Sequence, residues 1–350
     1  MIQNQLLRRL SFMFAKLPHV SQVPIAVHYT PDSILQFSEP PMPHLTVVDR
    51  QRYGTCTDVK WLHQSHTLAT LNMATETIHT YVFDSHSHTL SPIQTLGNEQ
   101  GMELHWPEKF AFANNGKYMA VANSKIGKCA IQLYRMEPTG WIHPGPVQTI
   151  EHEGSVFHDV QFSPDSRFMV STTMDAGGHI RFYSLEEGPG GELNITLTQT
   201  TQSLYLPLKP KAIAFSGDGA LIAICFGPNA GTLNPQSFGV MAIHTFDGVT
   251  GTMSEQPVHE LYGRPELSVP DSVTFSHDAG SSMLIIPSQS NDTIVFYAFD
   301  KSTCQIDPNF FSFTNPNAQL SFPHGVSLSA DDRYLAVSNY GDDKITIYAL

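Results

Sequence analysis

Residues 159–185 read D-V-Q-F-S-P-D-S-R-F-M-V-S-T-T-M-D-A-G-G-H-I-R-F-Y-S-L. This stretch holds an apolar strand, a polar turn, a second apolar strand, a polar loop and an alternating strand. Ser163-Pro164-Asp165 supplies turn geometry, because proline presets φ and the Ser and Asp side chains can bond to nearby backbone. Phe168 to Val170 is apolar at consecutive positions, the pattern of a strand covered on both faces. Ile180 and Phe182 alternate with Arg181 and Tyr183, so the third strand is half-buried. The phrase returns at residues 325–350, G-V-S-L-S-A-D-D-R-Y-L-A-V-S-N-Y-G-D-D-K-I-T-I-Y-A-L. Further copies start at Asp58, Lys109, Ala212 and Ser272. Their apolar anchors are Val59, Phe110, Val160, Ile213, Val273 and Val326, spaced at the roughly fifty residues of a propeller blade. The one long interval, before Val273, contains a Gly/Pro/Asn-rich insertion at 227–237, read as a loop. A fourth, outer strand follows each phrase, as at 92–96 and 146–150. The fold class is all-β, a β-propeller.

The blade count turns on the N-terminal region. Residues 26–49, A-V-H-Y-T-P-D-S-I-L-Q-F-S-E-P-P-M-P-H-L-T-V-V-D, align with the last copy after one deletion. Seven blades are therefore expected, the first incomplete because ten residues between Asp49 and Val59 leave no room for an outer strand. The alternative is six blades, with 44–49 as the outer strand of the last. The chain ends on a third strand, so in either case an N-terminal segment must complete the final sheet and remove the open edge. The expected organisation is a lead-in and closing strand at 1-22 and one propeller domain at 23-350.

Hydrophobic residues make up 41% and charged residues 15% of the 350, enough for a large core and unlike a disordered chain. No apolar run reaches the ~18 residues of a membrane span. A formal charge of −13 argues against nucleic acid and anionic membranes as partners. Cys56, Cys129, Cys225 and Cys304 form no C-x-x-C pair and read as buried thiols of a reducing compartment. The expected protein is a cytoplasmic monomer that meets a small molecule or a protein partner. Arg8, Arg9 and Lys16 with no acid before Asp32 leave organelle targeting open.

Two residues before each anchor stand Thr57, Glu108, His158, Lys211, Asp271 and His324, with Ile25 in the incomplete copy. Pro107, Pro210, Pro270 and Pro323 precede four of them and fix the approach of the chain. Inner strands of a propeller line the central channel, so these side chains are expected to meet at one mouth, with Asp58, Lys109 and Asp159 beside them. Glu108, His158 and His324 are the candidate catalytic groups, able to move protons. Lys211, Asp271, Asp159, Asp58 and Thr57 are the candidate ligand-binding groups, Lys211 suited to an oxyanion or phosphate. A divalent metal is a possible cofactor, although spacing across blades is not itself a ligand motif. His86-Ser87-His88 is read as a solvated hairpin. No G-x-S-x-G, H-E-x-x-H or phosphate-loop pattern occurs.

The F-S-P-D-S-R-F-M-V phrase at 162–170, the A-V-S-N-Y-G-D-D-K-I-T-I-Y close at 336–348 and the outer hairpin F-D-G-V-T-G at 246–251 resemble the lactonase-type, or YVTN-type, bacterial propellers. WD repeats share the Phe-Ser-Pro-Asp turn, but here Tyr183-Ser184 and Tyr297-Ala298 occupy the Trp-Asp position. The lactonase resemblance implies hydrolysis of sugar lactones, including 6-phosphogluconolactone. His158 or His324 with Glu108 would then activate water and protonate the leaving alkoxide, and Lys211 would meet a phosphate. No ring position carries the arginine that a phosphosugar site favours. A binding propeller that recognises a ligand at the channel mouth is the first expectation, a lactone hydrolase the alternative.

Overall fold

The computed structural model describes residues 56–350 apart from 63–65, 138, 229–237, 279, 281 and 314–319, together with the backbone strands Val27–His28, Gln36–Phe37 and His44–Val48. Blade 1 comprises Cys56–Trp61, Thr67–Asn72, Thr77–Asp84 and Thr89–Gly97. Blade 2 comprises Pro107–Phe112, Tyr118–Asn123, Ala130–Arg135 and Gln148–Ile150. Blade 3 is Phe157–Phe162, Phe168–Thr173, His179–Glu187 and Leu193–Gln202. Blade 4 is Lys209–Phe215, Leu221–Gly227 and Val240–Asp247, its outer position shared by Thr252–Met253 and His259–Leu261. Blade 5 is Thr274–Phe275, Met283–Ser288, Thr293–Asp300 and Gln305–Phe313. Blade 6 is Pro323–Leu328, Tyr334–Asn339 and Lys344–Ala349, completed by His44–Val48.

The ring therefore has six blades, the alternative reading, and not seven. His44–Val48 runs antiparallel to the final strand, Lys344 opposite Val48 and Tyr348 opposite His44. With those residues closing blade 6, the described part of the 26–49 copy does not form a blade of its own. What precedes them is a two-residue pairing of Val27–His28 with Gln36–Phe37. The expected lead-in at 1-22, and most of the 227–237 insertion, lie outside the described residues.

Sequence and packing agree closely within a blade. In Tyr118–Asn123, Met119 and Val121 pack with blade 1 residues such as Leu71, while Tyr118, Ala120 and Ala122 pack with blade 3 residues such as Phe157. Alternate residues of a strand face opposite sides, so a strand apolar at every position needs a neighbour on each side. Six apolar clusters result, one between each adjacent pair of blades, including Val59, Trp61 and Leu68 of blade 1 against Tyr334, Ala336 and Ile347 of blade 6. The repeated turn has a repeated cause. Ser163 Oγ donates to Asp165 Oδ1 at 2.6 Å and accepts from the Phe168 amide at 3.0 Å. Ser216, Ser276 and Ser329 make the same pair of bonds. The tyrosines at the Trp-Asp position tie down the incoming connectors: Tyr297 Oη lies 2.8 Å from Glu266 Oε1, and Tyr183 Oη lies 3.0 Å from His152 Nε2.

Closure at 44–48 gives a direct test. A chain beginning at residue 21 should keep its melting temperature. One beginning at residue 51 should lose several degrees and associate through the exposed edge of Lys344–Ala349. Equal melting temperatures for the two truncations, with both monomeric by light scattering, would contradict the assignment.

Candidate functional site

The inner strands do not pair evenly with their neighbours. The ladder skips Thr57 in blade 1, Glu108 in blade 2, His158 and Asp159 in blade 3, Lys211 in blade 4 and His324 in blade 6. In blade 5 a lone bridge from Pro270 to Ser288 precedes the regular pairs, and Asp271 falls in the gap. Each is a bulge-like break in register, which leaves a residue unpaired and re-aims its side chain. Proline suits the position just before, because it has no amide hydrogen to give to the ladder. Before three of these prolines the backbone is left-handed: Trp106 φ 50, Val269 φ 54 and Phe322 φ 50. Residues preceding proline normally stay extended, and β-branched residues avoid positive φ, so this arc of the mouth is strained. Carboxylates hold two of the turns: Glu76 Oε1 accepts from the Trp106 amide at 3.2 Å and Asp292 Oδ1 from the Phe322 amide at 2.6 Å.

The irregular positions bring half-buried Glu108 together with buried His158, Lys211, Asp271 and His324 in one cluster. Asp271 is its hub, at 1% side-chain exposure. Its Oδ1 lies 2.8 Å from Lys211 Nζ and 3.6 Å from His158 Nε2, and its Oδ2 lies 2.7 Å from His324 Nε2. His158 Nδ1 is 2.8 Å from the Lys211 carbonyl oxygen, so that nitrogen carries the proton and Nε2 presents a lone pair. His324 Nδ1 and carbonyl oxygen each lie 3.0 Å from Lys109 Nζ. An imidazole between an ammonium and a carboxylate accepts from the first and donates to the second. Glu108 Oε1 accepts from Ser124 Oγ at 3.2 Å. Tyr340 stacks on His324 with ring centroids 5.4 Å apart.

Burial and neighbours push the titrations apart. Burial raises the Glu108 carboxyl above its usual range, and the Asp271 charge adds to that. Burial lowers His158 to about 3, which keeps it neutral. Asp271 is buried too, yet His324, Lys211 and His158 hold its carboxyl well below normal. Burial pushes Asp159 up to about 6 against the pull of Lys60 and Lys109.

The remaining sequence candidates are engaged in joints between blades. Asp58 Oδ2 accepts from the Phe110 amide at 3.3 Å, and Asp159 Oδ2 from the Ile213 amide at 2.9 Å. Ser272 Oγ does the same for the Val326 amide at 3.3 Å. Each of these residues stands one position before an anchor and clasps the anchor of the following blade. Gly325, the equivalent residue in blade 6, faces Asp58, and a Cβ there would sit 2.4 Å from Asp58 Oδ1. Thr57 Oγ1 donates to the Pro107 carbonyl at 3.1 Å. Tyr340 and Ser124 were absent from the sequence-based site. Both follow the end of a second strand, where no periodic signal distinguishes them. Lys109 adjoins Glu108 in the sequence, but nothing in one dimension pairs it with His324. His86 and His88 lie in the outer hairpin of blade 1, with His88 against Phe83 at a centroid distance of 6.4 Å.

No family model matches this chain, and no curated protein matches it in sequence. Solved structures do resemble it. A structure described as a putative 6-phosphogluconolactonase from Bacteroides uniformis has 17% identity and a TM-score of 0.52 over 70% of this chain and 67% of its own. The Cps50 (Swd1) β-propeller domain of Myceliophteria thermophila has 10% identity and a TM-score of 0.55 over 88% and 99%. Hydrazine synthase of Kuenenia stuttgartiensis has 10% identity and a TM-score of 0.52 over 85% and 96%. At these identities the likeness is one of fold, shared by proteins of unrelated description.

Asp159 and Asp271, both buried, predict opposite pH dependences. Asp159 has a folded pKa of about 6 against 3.8 for the free group, so its contribution is full below 3.8 and is lost as pH rises through 6. The stability advantage of the wild type over Asp159→Asn should shrink between pH 4 and 7 in urea titrations. Asp271 is shifted downward, so its contribution is present above 3.8 and is lost as pH falls. At neutral pH, Asp271→Asn should cost about 3–5 kcal/mol, because Lys211 loses its buried partner.

Proposed function

We propose that this chain is a β-propeller binding module that takes a compact polar ligand at the channel mouth, where Glu108, His158, Lys211, Asp271 and His324 converge. The observation that carries this reading is the convergence itself: five residues that the inner ladders of blades 2 to 6 leave unpaired meet in one cluster around Asp271. A rigid ring holds such groups in fixed positions at little ordering cost, which favours affinity. Their mixed donors and acceptors, with Tyr340 stacked behind His324, suit a polyhydroxylated molecule such as a sugar acid or sugar lactone. Water activation is less well served. His158 near pKa 3 is a weak base at neutral pH, and both nitrogens of His324 have partners.

The second reading is lactone hydrolysis. What favours it is Glu108, whose carboxyl is biased by burial toward the protonated form that could serve a leaving alkoxide. The fold likeness to a protein described as a putative 6-phosphogluconolactonase points the same way.

One set of titrations separates the two. Gluconate and glucono-δ-lactone are added to the purified chain and to a Glu108→Gln, His324→Ala double variant, with binding followed by calorimetry and ring opening by proton release. Binding predicts saturable heat that weakens at least tenfold in the double variant, and ring opening at the buffer rate. Ring opening above that rate, lost in the double variant, would replace binding with hydrolysis. Heat and rates that the double variant leaves unchanged would remove this cluster from the site.

A further inference from the structure

We infer that Glu108, His158 and His324 form a binding site for a first-row divalent metal ion of the zinc class. The inference rests on the reading of this cluster as a receptor and names what anchors the ligand there. Each of the three residues offers a ligand atom, and the three atoms lie within 4.8 Å of one another. Donors around a tetrahedral zinc ion sit roughly 3.5 Å apart, so closure on an ion needs shifts of about an ångström. The residues come from blades 2, 3 and 6, and each occupies the unpaired position of its bulge. Backbone pairing therefore does not restrain the small movements required.

The surroundings are arranged as metal-binding histidines require. A ligating imidazole almost always has its other nitrogen held by a carbonyl or carboxylate. His158 is held at Nδ1 by the Lys211 carbonyl, 2.8 Å away, which turns Nε2 into the cluster, 3.6 Å from Asp271 Oδ1. His324 is held on both sides, by Asp271 at Nε2 and by Lys109 at Nδ1. An ion at Nδ1 displaces the Lys109 ammonium and keeps Asp271 as the orienting carboxylate. An ion at Nε2 recruits Asp271 as a further oxygen donor. In both arrangements Lys109 is a positive charge, 1% exposed, that the incoming cation must oppose. Two imidazoles and one carboxylate select zinc-like ions over calcium and magnesium, which prefer all-oxygen cages. Three protein donors also leave an open coordination position, where an oxygen of a polar ligand can bind.

The test uses the full chain after chelator treatment and dialysis. Zinc chloride is titrated by calorimetry, and cobalt chloride is followed by its visible absorption. One equivalent should bind, and cobalt should develop the intense absorption of a low-coordinate nitrogen and oxygen site. A His158→Ala, His324→Ala double variant should lose about 100-fold or more in affinity, and Glu108→Gln, the milder change, about tenfold. Lys109→Met should bind more tightly than the wild type, an effect that a merely structural role for Lys109 would not produce. His86→Ala with His88→Ala should bind as the wild type does. Circular dichroism identifies any variant that fails to fold, and for such a variant Glu108→Gln and the wild-type cobalt spectrum decide the matter. No uptake of zinc or cobalt by the wild type, undiminished uptake in the histidine double variant, or weaker binding in Lys109→Met would overturn the site. Repeating the gluconate titration with EDTA and with zinc separates the two inferences. Gluconate binding in EDTA without zinc uptake sinks the metal and keeps the receptor. Zinc uptake with no gluconate binding under either condition keeps the metal and removes the sugar-acid reading.

Discussion

Every blade of this molecule is apolar on both faces, and that constraint organises the rest. Leu221, Ala223 and Cys225 of one strand pack toward blade 5, while Ile222, Ile224 and Phe226 of the same strand pack toward blade 3. A sheet of this kind cannot end in water on either side, because an exposed face would forfeit about 25 cal/mol for each Å² left uncovered. A stack of such sheets finds cover for all of them by closing on itself. The pairing of Lys344–Tyr348 with His44–Val48 completes that closure covalently distant but spatially adjacent, and the cluster between blades 6 and 1 seals it.

Closure creates an axis, and the bulges furnish it. A residue skipped by the ladder has backbone groups and a side chain that the sheet does not claim. Proline stands before the skipped residue in four blades, where its missing amide hydrogen suits the edge of the irregularity. In blades 2 to 6 the skipped side chain joins the cluster, whereas in blade 1 Thr57 binds the Pro107 carbonyl. The residues one step further on do the opposite work: Asp58, Asp159 and Ser272 clasp the next blade's backbone and hold the inner strands together. In blades 3 and 5 neighbouring positions thereby separate into joint and site, while in blade 2 both Glu108 and Lys109 reach the cluster.

The cluster at the mouth is electrostatically dense but internally matched. Asp271 balances Lys211 and meets both imidazoles, and Lys109 Nζ donates to both Nδ1 and the carbonyl oxygen of His324. Burial alone would neutralise such groups, and it does bias Glu108 and His158 toward their uncharged forms. The Asp271 carboxylate stays charged because the Lys211 ammonium and the His324 ring N–H both face it. This balance makes the cluster a preformed polar receptor more than a set of strongly activated groups.

The repeat carried the architecture in plain view. Turn chemistry at Ser163, Ser216, Ser276 and Ser329, apolar second strands and a period of about fifty residues are local properties, and local properties survive in one dimension. The six anchor-minus-two positions were legible for the same reason, since a fixed offset from a repeated anchor gives a fixed place in the blade. The blade count was not legible. Residues 26–49 resemble a blade locally, and only the partner chosen by His44–Val48 decides that they complete the last one. Nor could the sequence separate Thr57, Asp58 and Asp159 from Glu108 and His324, because adjacent residues of a bulged strand differ in direction and not in composition. Which polar side chain clasps a neighbouring backbone, and which faces the axis, follows from bonds between residues fifty to two hundred positions apart, and such bonds exist only after the ring has closed.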